Sequence, residues 1–170
     1  CLMDNHVHFV VEPSTETTLA KVFNTVHMRY SQYFNKKKGG RGHLWQGRFF
    51  SCPLDKVHLY EAIRYVELNP VRANIVSEIE NYEWSSSYNR LCGDNRIPLY
   101  SIKDYLEIDN WKEYLKEAMN DDVIAMFRSN TKTGRPSGGA HFVSKIEKLT
   151  GRSFSIKRVG RPKIEKRKDK

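Results

Sequence analysis

The chain has 170 residues, a net charge of +9 and three cysteines, Cys1, Cys52 and Cys92, which is enough for one domain with a core and a tail. No apolar run approaches the roughly 20 residues of a membrane span, and no secretory signal is legible in these residues. The few, widely spaced cysteines exclude a disulfide framework or a metal finger, so the expected setting is a reducing cytoplasm.

Leu2 to Val11 reads as a strand that places His6, His8 and Val10 on one face and Val7, Phe9 and Val11 on the other. Pro13 stops it, and Ser14 or Thr15 is positioned to cap a helix. Leu19, Val22, Phe23, Val26, Tyr30, Tyr33 and Phe34 then recur at helical spacing to about Lys37, and Lys36 to Gly42 forms a basic, glycine-rich loop. Arg48 to Cys52 reads as a second strand, closed by Pro53. Asp55 is the expected N-cap of a helix with Leu59, Ile63 and Val66 on its core side and Pro70 at its end. Residues 71–100 read as a helical turn and irregular chain containing "YEWSSSY". Helices are expected near 101–108, 110–128 and 138–150.

The charge is uneven: residues 151–170 hold nine Lys/Arg against Glu165 and Asp169, so +7 of the +9 lies there. Such tails most often meet nucleic acid, and a merely solubilising tail is the plain alternative.

The histidine pair of "NHVHFVV" is the first chemical signal. Side chains two apart on a strand share a face about 6–7 Å apart, close enough for two imidazoles to hold one metal ion. A hard divalent ion also wants oxygen ligands. The helix after Asp55 offers one: at about 100° per residue, His58, Ala62, Tyr65 and Asn69 form a stripe away from the Leu59/Ile63 line. Tyr65 and Asn69 are an i, i+4 pair that projects a hydroxyl and an amide together. Taken singly, each feature is more often structural than catalytic, and His58 reads as a solvent-facing residue.

"NHVHFVVEP", "HLWQGRFFSCPLD" and "IRYVELNPVRANIV" together resemble the HUH (His-hydrophobic-His) single-tyrosine transposases, and among them the REP-associated tyrosine transposases. The resemblance covers roughly residues 2–90, and the extension "TGRPSGGAHFVSKIEKLTGRSF" with "KRVGRPK" is similar to that of many such proteins. It implies an α+β fold with a ferredoxin-like antiparallel sheet, packed helices, a helical C-terminal extension and a basic tail. The chain opens on Cys1, so the family's N-terminal strand, helix and strand are expected to be absent. The implied organisation is a catalytic domain over 1–92, a helical extension over 93–150 and a DNA-binding tail over 151–170.

By the same resemblance, Tyr65 is the nucleophile and His6, His8 and Asn69 hold a divalent metal, Mg²⁺ or Mn²⁺. The implied activity is cleavage and rejoining of single-stranded or hairpin DNA through a 5′-phosphotyrosine, by a cytoplasmic, nucleoid-associated protein with no membrane partner. The alternative is a nucleic-acid-binding protein on the same scaffold without turnover; a relaxase or replication initiator would usually carry further domains downstream. Monomer and homodimer both stay open. Lys36, Lys37, Lys38 and Arg41 are candidates for phosphate contacts, and Trp45 for base stacking or for the core. Arg161 and Lys163 lie in "VGRPK", which looks like an AT-hook-type element for a narrow minor groove or a plain basic linker.

Overall fold

The computed structural model describes residues 1–94, 98–101, 108 and 110–155. Among them the regular structure is helical: α1 (Thr18–Lys38), α2 (Lys56–Glu67), α3 (Asn69–Arg72), α4 (Ser86–Cys92), α5 (Trp111–Lys116), α6 (Asp121–Thr133) and α7 (Ala140–Thr150), with a 3-10 turn at Ile79–Asn81. This corrects the expected α+β class. Among the described residues no ferredoxin-like antiparallel sheet forms, and β pairing is limited to the isolated bridges Leu2↔Val7 and Leu54↔Ser137.

The reason lies in where the two extended segments spend their backbone hydrogen bonds. The first folds back on itself: Cys1 and His8 exchange two backbone bonds of 2.9 Å, and the Met3 amide donates to the His6 carbonyl. That tight turn leaves Phe9 and Val11 about half exposed. The second segment is taken by the loop before α7, where Ser137 N donates to Pro53 O and Asp55 N donates to Ser137 O. Cys52 Sγ also donates to Arg135 O. Two short extended pieces paired to different partners do not make a sheet.

α2 is the centre of the molecule. Asp55 caps it as expected, accepting from the His58 amide at 2.9 Å. Its second half, Ala62 to Glu67, is buried throughout. Ala62, Tyr65 and Val66 pack with Phe127 of α6 in one apolar cluster, with Val10, Leu54 and Ile124 against it. The expectation that Ala62 and Tyr65 lie away from the core is thus corrected, because Phe127 and Ile124 of α6 cover that stripe. Burying an apolar side chain of this size contributes about 1.5–3 kcal/mol.

Two charged residues of α2 are buried in the same stretch. Glu67, fully buried, accepts from Ser86 Oγ at 2.5 Å, Arg90 Nε at 2.9 Å and Trp111 Nε1 at 2.8 Å, so one carboxylate ties α4 and α5 to α2. Arg64 donates to the Glu117 carbonyl and lies over the Tyr114 ring at 4.6 Å. A buried charge is tolerated when it is paired and hydrogen-bonded, as Glu67 is; Arg64 is satisfied only in part, its Nε being buried without a hydrogen-bond partner.

Pro70 does not end the helix; the break falls earlier, at Leu68, and Pro70 sits in the first turn of α3. A proline has no N–H to give Val66, but a first turn requires none. α1 begins at Thr18, later than Ser14 or Thr15 would set it, because the Thr15 amide and hydroxyl both bond the Thr18 hydroxyl in a turn that precedes the helix. It ends at Gly39, whose φ of +67 allows its amide to reach Asn35 O.

The irregular reading of 71–100 is corrected by the 3-10 turn and by α4, capped by Ser85. The helix expected over 110–128 is two, α5 and α6, each capped by an asparagine, Asn110 and Asn120. α7 falls where a helix is expected near 138–150. The one expected near 101–108 lies almost wholly outside the described residues. Among these, no helix is long and apolar enough to cross a membrane.

Candidate functional site

The turn carrying His6 and His8 is held in place from the far end of the chain. Leu2 N donates to Trp84 O at 2.9 Å, and the buried Tyr82 hydroxyl donates to Leu2 O at 2.5 Å. The "YEWSSSY" stretch therefore anchors the histidine turn with its first residues and starts α4 with its serines. Against this fixed backbone the two imidazoles meet edge to face, 4.8 Å between ring centroids.

His8 also meets Tyr65 of α2 edge to face at 6.0 Å, and Tyr65 rests on Phe127 at 5.5 Å. The tertiary fold thus brings His6, His8 and Tyr65 into one contiguous group, although Tyr65 is 57 positions beyond His8 in the chain. Burial pushes His8 down to about 4, and the nearby His6 and Arg72 act in the same direction. Its ring is consequently neutral through the physiological range, with a lone pair available. His6 Nδ1 lies 2.7 Å from Asn5 Oδ1. Donation by Nδ1–H to that oxygen leaves Nε2 as the free ring nitrogen.

Asn69 enters through a residue that sequence reasoning did not single out. Arg72 Nη2 donates to Asn69 Oδ1 at 2.5 Å and to the Tyr65 carbonyl at 2.8 Å, while its guanidinium lies over the Tyr65 ring at 4.1 Å. Asn69 is buried, and its Nδ2 has no hydrogen-bond partner. A signal for Arg72 exists in the sequence: it lies three residues after Asn69, one turn further along the same stripe as Tyr65.

Imidazole nitrogens and an amide oxygen are donor types that a divalent cation accepts, with the rest of its shell left to water or phosphate oxygens. Among the described residues no three His, Cys, Asp or Glu side chains cluster as a metal site, and the Asn69 amide oxygen is engaged by Arg72. His58 stands apart from this group. Its Nδ1 lies 2.7 Å from Asp55 Oδ1 at the start of α2, and Asp55 Oδ2 accepts from the Gly139 amide at 2.8 Å. That cluster secures the starts of α2 and α7.

The candidate DNA contacts form a second region along α1. Lys36, Lys37 and Lys38 occupy its last turn and Arg41 the following loop, all exposed. Lys37 Nζ lies 5.8 Å from the Tyr33 ring centre. Trp45 is half-buried, stacked on His27 at 4.1 Å with its Nε1 donating to His27 O at 3.1 Å, so one face of its indole is spent on α1. Between α1 and the loop carrying Trp45 lies a cleft of about 370 Å³ that includes Gln32, Asn35 and His43. Arg161 and Lys163 lie outside the described residues.

Residues 1–69 match the family described as IS200-like transposase. The matched stretch holds His6, His8, Tyr65 and Asn69, and it supports the transposase family for this part of the chain. No curated protein and no solved structure matches the chain.

Proposed function

We propose, from the IS200-like transposase pattern of residues 1–69, that the protein cleaves and rejoins single-stranded or hairpin DNA at Tyr65. The observation that carries this reading is the grouping of His6, His8 and Tyr65, brought together from two distant stretches of the matched region. The finer assignment to the REP-associated tyrosine transposases is supported by "WQGRF" and "YVELNPV".

In this reading the Tyr65 phenol oxygen attacks the scissile phosphorus in line. The new O–P bond forms as the P–O3′ bond breaks; the phenol proton is lost, and the departing 3′-oxygen takes up a proton. The product is a 5′-phosphotyrosyl link and a free 3′-hydroxyl. Attack by a 3′-hydroxyl on the same phosphorus reverses the step, so strands rejoin without ATP. His6, His8 and the Asn69 oxygen are the groups that would hold Mg²⁺ or Mn²⁺, which when bound neutralises charge on the phosphate and orients it. Lys36, Lys37, Lys38 and Arg41 supply phosphate contacts that fix register without reading sequence. Arg161 and Lys163 extend the same basic character into the tail.

One observation favours the second reading, a nucleic-acid-binding protein without turnover: Tyr65 is only 9% exposed. Incubation with Mn²⁺ and end-labelled hairpin DNA separates the two on a denaturing gel. The transferase reading expects a covalent adduct that vanishes in Tyr65→Phe. Retarded DNA on a native gel with no adduct, or an adduct that survives Tyr65→Phe, overturns it.

A further inference from the structure

Charge is one-sided along α1 and the loop that follows it. Between Glu16 and Asp55 the sequence has no Asp or Glu, while Lys21, Arg29, Lys36, Lys37, Lys38, Arg41 and Arg48 all fall there. Lys36, Lys37, Lys38 and Arg41 lie together at the end of α1 and in the next loop, all exposed. A polyanion is the partner that such a face attracts.

The same four cations frame the cleft of about 370 Å³: Lys36 follows Asn35 on one wall, and Arg41 precedes Gly42 on the other. Two clamps fix the loop that forms it. At one, the Asn35 carbonyl accepts from the Gly39 and Gly40 amides, and its Nδ2 donates to Gly42 O at 2.9 Å. At the other, Trp45 stacks on His27 and donates to its carbonyl. The lining is apolar at Met28, Leu44 and Trp45 and polar at Gln32 and His43, and of these five only Trp45 is not exposed.

We propose that this cleft receives one unpaired base of a DNA strand whose flanking phosphates lie on Lys36, Lys37, Lys38 and Arg41. A nucleotide within a strand has the properties the cleft asks for: an apolar face, a polar edge and a phosphate on either side. The volume is at the small end of the range for ligand pockets, roughly 300–1,000 Å³, which suits one base and not a duplex. A base inside a duplex has its edge and faces engaged, so only one free of its partner enters. Met28, Leu44 and Trp45 then meet the face, and the Gln32 amide and His43 ring offer donors and acceptors to the edge. The choice of DNA rests on the strand-transfer reading above, whereas the fit to a base rests on the lining.

The test compares two end-labelled deoxyribose-phosphate strands of about ten units, one wholly abasic and one carrying a single thymine at its centre. Both hold the same phosphates. Binding to the full chain is read by fluorescence anisotropy in EDTA, where no metal-assisted cleavage intrudes. The unaltered chain is expected to bind the single-base strand about tenfold tighter than the abasic one. Trp45→Leu and the double variant Gln32→Ala/His43→Ala are each expected to shrink that preference to about twofold or less, with affinity for the abasic strand unchanged. Lys36→Gln/Lys37→Gln/Lys38→Gln is expected to weaken both strands alike and to lower the salt slope by about 2.

Equal affinity for the two strands, or a preference that survives the cleft variants, overturns the proposal. So does a decaglutamate peptide bound as tightly as the single-base strand, since charge alone would then explain the face. If Trp45→Leu unfolds, Gln32→Ala/His43→Ala gives the same comparison at two exposed side chains, where substitution is expected to leave stability unchanged. The hairpin-adduct assay runs in parallel and answers separately. A chain that shows the cleft-dependent base preference yet forms no adduct loses the transferase reading and keeps the base site. One that forms the adduct with no such preference loses only the base site.

Discussion

α1 runs for 21 residues without burying one of them, whereas α2 buries six of its twelve. Both carry apolar residues at helical spacing. The difference lies in what the rest of the chain lays over them. α2 receives the histidine turn, α4, α5 and α6, through Tyr65, Phe127 and the three donors to Glu67. α1 receives Phe9, Phe49 and Trp45, which meet Phe23 and His27 along one narrow line of rings, and leaves Val22, Val26, Tyr30 and Tyr33 about half exposed. An amphipathic repeat is a capacity to be buried; the partner surface decides how much of it is used.

The largest blow to the α2 side should come from Glu67→Ala. It strands the half-buried Arg90 and Trp111 donors and detaches α4 and α5 together, which is expected to cost about 3–5 kcal/mol. Urea unfolding followed by circular dichroism checks it; a loss below about 1 kcal/mol, the scale of an exposed ion pair, contradicts the assigned role.

A smaller and pH-dependent effect belongs to His8. Its imidazole titrates near 4 when folded and near 6.5 when unfolded. Below pH ~6.5 the unfolded chain therefore takes up a proton that the folded one refuses, and stability falls as pH drops from ~6.5 toward ~4. Thermal melts of the metal-free protein across that window should show a shallower decline for His8→Gln than for the unaltered chain. Parallel slopes would remove His8 from the account.

The smallest effect is expected on α1. Val26→Ala, at a side chain 52% exposed, should leave stability within about 0.5 kcal/mol. A loss of 2 kcal/mol or more in the same unfolding assay would mean that α1 is covered in solution, and the contrast between the two helices would fail.

The legibility of the molecule follows the same divide. Local signals were readable: Asp55 as a cap, because a carboxylate before an apolar repeat satisfies open amides, and the helix near 138–150, found as α7. The two strands misled. Alternation reports only that a segment suits an extended conformation, and Leu2–Val11 and Arg48–Cys52 found a turn and a loop as partners, so no sheet formed. At the site, His6, His8, Tyr65 and Asn69 were nameable from type and spacing. The buried Glu67 was not, and the place of Arg72 on the Tyr65 stripe is only a weak signal, since a charged residue on a helix normally faces water and only the packed neighbours reveal that these two do not.

By itself the sequence determined the local elements whose cause is local: the caps, most of the helical repeats, the uneven charge, and the His-x-His and Tyr-x-x-x-Asn spacings. Tertiary structure alone decided that the Tyr65 stripe is core, that the extended segments stay unpaired with each other, and that Arg72 bridges the break between Tyr65 and Asn69. The physical reason is that burial and hydrogen-bond satisfaction are properties of pairs of surfaces. A side chain's chemistry is written at its own position, while its partner lies elsewhere in the chain, seven residues away for Tyr65 and Arg72 and 62 for Tyr65 and Phe127.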